Sequence, residues 1–203
     1  MKNILFTFLT ISFLISCSKK DDIPLQPQED QLPEATTSGA NTAGCIINGK
    51  VLIPKNGSQA IGGSPSYGLT IGAGLNFNAP IIGDDYLQIE IANKKDTDGS
   101  GIILWLKNTT TGIGNYPVNQ SNGEQYSYGP NNNQIFAGIR ENDTNKTYWS
   151  GTNSGIVKIT QFDYLNGVYS GVFSCTLYNK DNSSETIQVT DGRFDIKVAT
   201  LNK

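Results

Sequence analysis

Apolar and polar residues alternate along most of this chain with the two-residue period of half-buried β-strands, not the 3.6-residue period of helices. Leu87, Ile89 and Ile91 fall on one face of a strand, with Gln88 and Glu90 on the other. The run Ile102-Ile103-Leu104-Trp105-Leu106 predicts a strand covered on both sides. Between these two lies a turn-rich stretch from Asn93 to Gly101, so the pair predicts an antiparallel hairpin with a long loop. Val157 and Ile159 alternate with Lys158 and Thr160. Tyr169, Phe173, Cys175 and Leu177 then share a phase across Gly171, which is the place for a bulge. Ile187 and Val189 precede a turn or bend at Asp191-Gly192. After it Phe194, Ile196 and Val198 face one way, and Arg193, Asp195 and Lys197 the other. Near the start, Cys45, Ile47, Val51 and Ile53 share a phase, with a bend at Asn48-Gly49. Beyond residue 16 no segment sustains helical spacing. The prediction is an all-β domain, an antiparallel β-sandwich, with a flattened calycin-like β-barrel as the alternative.

The first residues follow a different pattern. After Lys2 the chain is apolar from Ile4 to Ile15 and then meets Ser16-Cys17. A bilayer span needs about 20 apolar residues, and the charged stretch Lys19-Lys20-Asp21-Asp22 ends this run too soon. A short basic start and a short apolar core describe a secretory signal. Leu14-Ile15-Ser16-Cys17 resembles the lipobox of bacterial lipoproteins. The resemblance implies that residues 1–16 are removed and that Cys17 carries the lipid, so the expected membrane contact is a lipid anchor. Lys20, Asp21 and Asp22 resemble the signal that sends Bacteroidetes lipoproteins to the cell surface; a solvated charged tether explains them equally simply. The expected location is the outer membrane, on its surface. Pro24, Pro27 and Pro33 stand among polar residues, so 17–41 is expected to be the lipidated Cys and a flexible linker. Residues 42–203 are then the β-domain.

Composition narrows the choice of partner. Loss of Lys2 with the signal leaves one basic residue fewer than the 15 of the full chain, against 18 acidic ones. That balance argues against nucleic acid, which needs a basic surface. Short motifs also resemble a family of uncharacterised Bacteroidetes lipoproteins: Gly44-Cys45-Ile46-Ile47-Asn48-Gly49-Lys50-Val51, Gly155-Ile156-Val157-Lys158-Ile159-Thr160, Gly171-Val172-Phe173-Ser174 and Thr190-Asp191-Gly192-Arg193-Phe194-Asp195. That family is a domain of unknown function, so the resemblance implies location and architecture but no activity.

The chain has no histidine, which removes Ser-His-Asp and Cys-His triads and histidine-based zinc sites. Cys45 and Cys175 lie in apolar phases in an oxidising compartment, so they are either a disulfide closing a long loop or two buried thiols. Asp96-Thr97-Asp98-Gly99-Ser100-Gly101 resembles the first half of a calcium loop, but Lys107 stands where the bidentate Glu belongs. A hairpin turn accounts for it without metal. Gly72-Ala73-Gly74 lacks the Lys-Ser/Thr of a phosphate loop. Acidic pairs at Asp84-Asp85 and Glu141/Asp143 are candidates for a carboxylate-dependent hydrolase, and both sit in turn-like contexts, where solvated loop charges are the simpler account. No catalytic residue, metal or cofactor is therefore assigned. Tyr126, Tyr128, Tyr148 and Trp149, set among Asn, Gln and Ser, are the candidates for stacking on a sugar or anchoring a protein partner; capping of the core is the plainer use for them. The leading expectation is a non-enzymatic envelope lipoprotein with a binding or structural β-domain, and surface glycan binding is its main alternative.

Overall fold

The computed structural model describes residues 30–58, 63, 66–73, 86–95, 99–125 and 128–203. These form ten strands: β1 (Thr42–Ile47), β2 (Lys50–Leu52), β3 (Leu69–Ala73), β4 (Tyr86–Ala92), β5 (Gly101–Lys107), β6 (Gly114–Val118), β7 (Gln134–Glu141), β8 (Thr144–Asp163), β9 (Val168–Asn179) and β10 (Thr186–Lys197). The helical content among the described residues is one 3-10 turn at Thr109–Thr111. The protein is all-β, a curled antiparallel sheet forming a half-barrel. Strand order is β2-β1-β10-β9-β8-β7-β5-β4-β3, with β6 paired to β8. This is a meander in chain order whose last strand returns to the first. No helix among the described residues is long and apolar enough to cross a membrane.

Alternation explains the curl. Each strand turns one set of side chains inward, and those sets merge into a single core containing Leu87, Ile89, Leu104, Ile135, Val157, Ile159, Leu177 and Ile196 among others. β4 and β5 form an antiparallel hairpin, as their sequence predicts, with Tyr86 opposite Lys107 and Ala92 opposite Gly101, so Gly101 belongs to the ladder and not to the loop. Trp105 points away from that core yet is fully buried, because Tyr86 stacks on it at 4.2 Å with 17° between the planes.

Two tight turns set the register. Asn48-Gly49 and Asn142-Asp143 both carry positive φ at two successive residues, the geometry that suits two-residue hairpins. Such a turn changes which residues face the core. Ile47 lies opposite Lys50 and Cys45 opposite Leu52, so Leu52 is the inward residue of β2. Val51 and Ile53, expected on the same face as Cys45, are only partly buried. The two-residue turn reverses the chain between Ile47 and Lys50, so a single phase does not continue from β1 into β2.

Two further expectations change. The bend at Asp191-Gly192 does not end a strand: β10 runs through it with a register shift between Val189 and Gly192, a bulge with Asp191 at positive φ. Asp195 does face away from the core, but it is 1 % exposed. Its cover is the chain segment before β1. Its carboxylate accepts hydrogen bonds from Thr36 Oγ1 (2.6 Å) and from the backbone N–H groups of Ser38, Gly39 and Ala40 (3.1, 2.8 and 3.0 Å). Ser170 Oγ donates a fifth at 2.6 Å. Arg193 Nη1 donates to the carbonyl of Pro33, and Asp30 pairs with Lys55 at 2.6 Å. Residues 30–41, expected within the flexible linker, thus form a strap across β1 and β10.

Candidate functional site

The long strand β8 bends where its partners change. Its first part pairs with β7 from Phe136↔Trp149 to Glu141↔Thr144, and its second with β6 from Gly114↔Ile159 to Val118↔Gly155. Between them the register with β9 shifts from Ser150 to Gly155. Over this bend lies an open cleft of about 400 Å³ lined by Trp149, Tyr178, Gln120, Thr152, Lys180 and Ser183 together with small backbone-bound residues.

Trp149 and Tyr178 lie directly opposite each other across the β8–β9 ladder, so both leave the same, outer face. Gly123, at φ +78°, backs the indole: a Cβ there would meet the ring at 2.9 Å. Only a residue without a side chain lets the 119–125 loop lie that close.

Both walls of the cleft are held by polar side chains, buried on one side and half-buried on the other. On one side Ser121 Oγ donates to Gln134 Oε1 (2.6 Å) and accepts from Gly123 N (3.0 Å), while Gln134 Nε2 donates to the Glu124 carbonyl (2.8 Å). Ser150 Oγ donates to the Asn119 carbonyl at 2.6 Å and accepts from Ile135 N at 3.1 Å. Gln134, Ser121 and Ser150 are all buried. On the other side Glu185 accepts from Lys146 Nζ (2.5 Å), Tyr148 Oη (2.8 Å) and Asn179 Nδ2 (3.0 Å). Asn179 Oδ1 in turn accepts from the backbone of Asp181 and Asn182. The Lys146 contact leads in holding the Glu185 carboxyl below its ordinary range, with Tyr148 next, and the same bond raises Lys146. Burial, aided by the nearby Glu185, raises the Tyr148 phenol.

The proposed aromatic quartet is not one surface. Tyr148 is 1 % exposed and faces the core, where its hydroxyl braces Glu185. Consecutive strand residues point to opposite faces, so Tyr148 and Trp149 cannot share a ligand. Tyr128 is 79 % exposed and outside the cleft lining; Tyr126 lies outside the described residues, as do Cys17, Lys20, Asp21 and Asp22. The aromatic that joins Trp149 is Tyr178, which the alternation already turned outward next to inward Leu177.

A second opening, about 470 Å³, lies at one mouth of the half-barrel between the β1–β2 and β7–β8 turns. Glu141 and Asp143 both line it from a single turn, and Asp143 pairs with Arg140 at 3.1 Å. They do not face each other across a cleft, which a pair of glycosidase carboxylates requires. Asp84, Asp85 and the stretch Asp96-Thr97-Asp98 lie outside the described residues. Among the described residues no three His, Cys, Asp or Glu side chains group to hold a metal.

Cys45 and Cys175 are free, buried thiols in this structure. β10 runs between their strands. Two strand spacings put their backbones about 9–10 Å apart, beyond the roughly 7 Å a disulfide spans. Burial pushes the Cys45 thiol up to about 12 and raises that of Cys175 as well.

Comparison of the chain with protein-family models, with curated proteins and with solved structures yields no match.

Proposed function

We propose that this protein is an outer-membrane lipoprotein, anchored through Cys17 and shown at the cell surface, whose β-domain binds a partner molecule and performs no reaction itself. The lipobox-like Leu14-Ile15-Ser16-Cys17 and the Lys20-Asp21-Asp22 stretch support the address. One observation carries the binding role: two separate polar networks, one buried around Gln134 and one half-buried around Glu185, hold the loops on either side of Trp149 and Tyr178. A domain needing only a core would not require them, whereas a recognition site needs walls fixed before the ligand arrives.

Within this proposal the sheet is read as a flattened, calycin-like barrel in preference to a two-sheet sandwich. In support, nine strands follow one another in a single ladder with β10 beside β1. Past β2, Lys55 bridges to Asn93 beyond the end of β4, drawing the two sheet edges together. The resemblance to uncharacterised Bacteroidetes lipoproteins agrees with the address and adds no activity.

The address is tested by metabolic labelling with palmitate: the parent should be labelled and a Cys17→Ser form should not. Equal labelling, or equal fractionation with membranes, refutes it. The binding role is tested by a photo-crosslinking residue introduced at Thr152 on living cells, with Leu165, a distant exposed position, as control. A discrete adduct at Thr152 and none at Leu165 is expected. Equal or absent adducts count against the cleft.

A further inference from the structure

We infer that the cleft over the β8 bend is a carbohydrate site, with Trp149 and Tyr178 as its stacking platform and Lys180 selecting sugars that bear a carboxylate. The inference rests on the binding role proposed above and names the chemical class of the ligand.

The cleft combines two kinds of surface. Trp149 and Tyr178 present adjacent ring systems on the outer face, suited to the apolar C–H side of a sugar ring. Around them the side chains of Gln120, Thr152 and Ser183 make no hydrogen bond among the described residues, although each lines the cleft. The neighbouring polar groups, Ser121, Ser150 and Asn179, are instead spent on the walls. These three free side chains are neutral and able both to donate and to accept, as sugar hydroxyls require. A purely apolar ligand would leave these groups unpaired.

Charge refines the class. Among the described residues Lys180 is the one charged residue in the lining, and its ammonium makes no ion pair there. The nearest acid in the chain, Asp181, is exposed and not part of the lining. A cation beside an aromatic pair favours an anionic ring substituent, and the planar carboxylate of a uronic or sialic acid supplies one. A divalent cation is disfavoured because no carboxylate among the described residues lines the cleft.

The chain's two tryptophans make the test direct. Trp105 is fully buried and serves as internal reference, while Trp149 sits in the cleft. The mature full chain in detergent is titrated with short oligosaccharides of galacturonic acid and of neutral galactose, and emission is followed. Binding of both, tighter for the acidic series, is expected. Trp149→Ala or Tyr178→Ala should weaken it at least about tenfold, the effect of a central aromatic anchor. Lys180→Gln should remove the preference for the acidic series while leaving neutral binding. Tyr128→Ala should change nothing. Thr152→Ala, at an exposed position, covers the case in which an aromatic variant fails to fold. Binding that survives Trp149→Ala, Tyr178→Ala and Thr152→Ala would overturn the site. Absence of any emission change with either sugar series would overturn the carbohydrate class, and a persisting adduct at Thr152 would then leave the binding role standing.

Discussion

Replacing Asp195 by Asn should unfold the domain earlier and flatten its acid response. The Asp195 carboxylate accepts five hydrogen bonds while 1 % exposed. Three of the donors are backbone N–H groups, which cannot turn away. An Asn keeps one acceptor oxygen but points an NH₂ at N–H or O–H donors, so at least one buried contact becomes donor against donor. Hydrogen bonds to a charged group contribute about 1.5–3 kcal/mol each in mutational series, and a buried donor left without an acceptor costs about 1–3 kcal/mol. One such bond lost and one donor stranded give an expected loss of about 3–5 kcal/mol, with Ser170 and the strap keeping the rest of the network. For a domain of this size it corresponds to roughly 6–20 °C in Tm. Urea unfolding followed by circular dichroism measures it directly.

The pH dependence has a definite sign. Burial pushes the Asp195 carboxyl up, but the bonds from Ala40, Ser170, Thr36 and Gly39 outweigh it and hold the group below its ordinary value. Its contribution is therefore complete above the unfolded value, about 4. It fades as pH falls through the lower folded value. The parent should lose stability between neutral pH and pH about 3 by more than Asp195→Asn does. A second variant beginning at Asn41 removes four of the five donors but opens the carboxylate to water, so about 2–3 kcal/mol is expected. Since both changes break one network, the double variant should cost less than their sum. Equal midpoints for parent and Asp195→Asn, or strictly additive losses, would refute the account of the strap.

Leu104→Ala empties the centre of the core, where Leu104 is fully buried, and should cost about 2–5 kcal/mol by urea unfolding; a loss below about 1 kcal/mol would mean that the sheet collapses around the gap. The thiols of Cys45 and Cys175, buried and raised in pKa, should resist iodoacetamide in the native state and both react in urea. Intact-mass measurement separates that outcome from a disulfide, in which neither would react without reductant.

Most of the strand pattern was legible because one inward face of the sheet is buried, and burial writes itself into the sequence with period two. Val157/Ile159 and Leu87/Ile89/Ile91 needed nothing more. What escaped depended on contacts distant in sequence. The strap was invisible because Thr36, Ser38 and Gly39 look like any polar linker; only Asp195, some 156 to 159 positions away, gives them a purpose. The Trp149–Tyr178 pair needed the register of β8 against β9, which shifts at the bend. Even so, two signals were present. Tyr148 and Trp149 are adjacent on a strand and must face opposite ways, and Tyr178 follows inward Leu177. Reading those parities would have removed Tyr148 from the ligand site and suggested Tyr178.

Buried polar groups separate what this fold needs from what its site needs. Replacing both members of a buried hydrogen-bonded pair by apolar groups of similar shape is often nearly neutral for stability. The double variant Ser121→Ala with Gln134→Met should therefore lower the urea midpoint little. It leaves Gly123 N and the Glu124 carbonyl without their side-chain partners, and both lie in the outer loop, where water can reach them. The loop that backs the Trp149 indole would then move more freely. Amide exchange at Gly123 and Glu124 should quicken, and sugar-induced changes in Trp149 emission should shrink, while Trp105 and the core amides of β5 remain as before. Unchanged exchange and binding in a stable double variant would show that the loop is held by its backbone alone. The argument that these networks exist to shape the cleft would then fail, even with Trp149 and Tyr178 still exposed side by side.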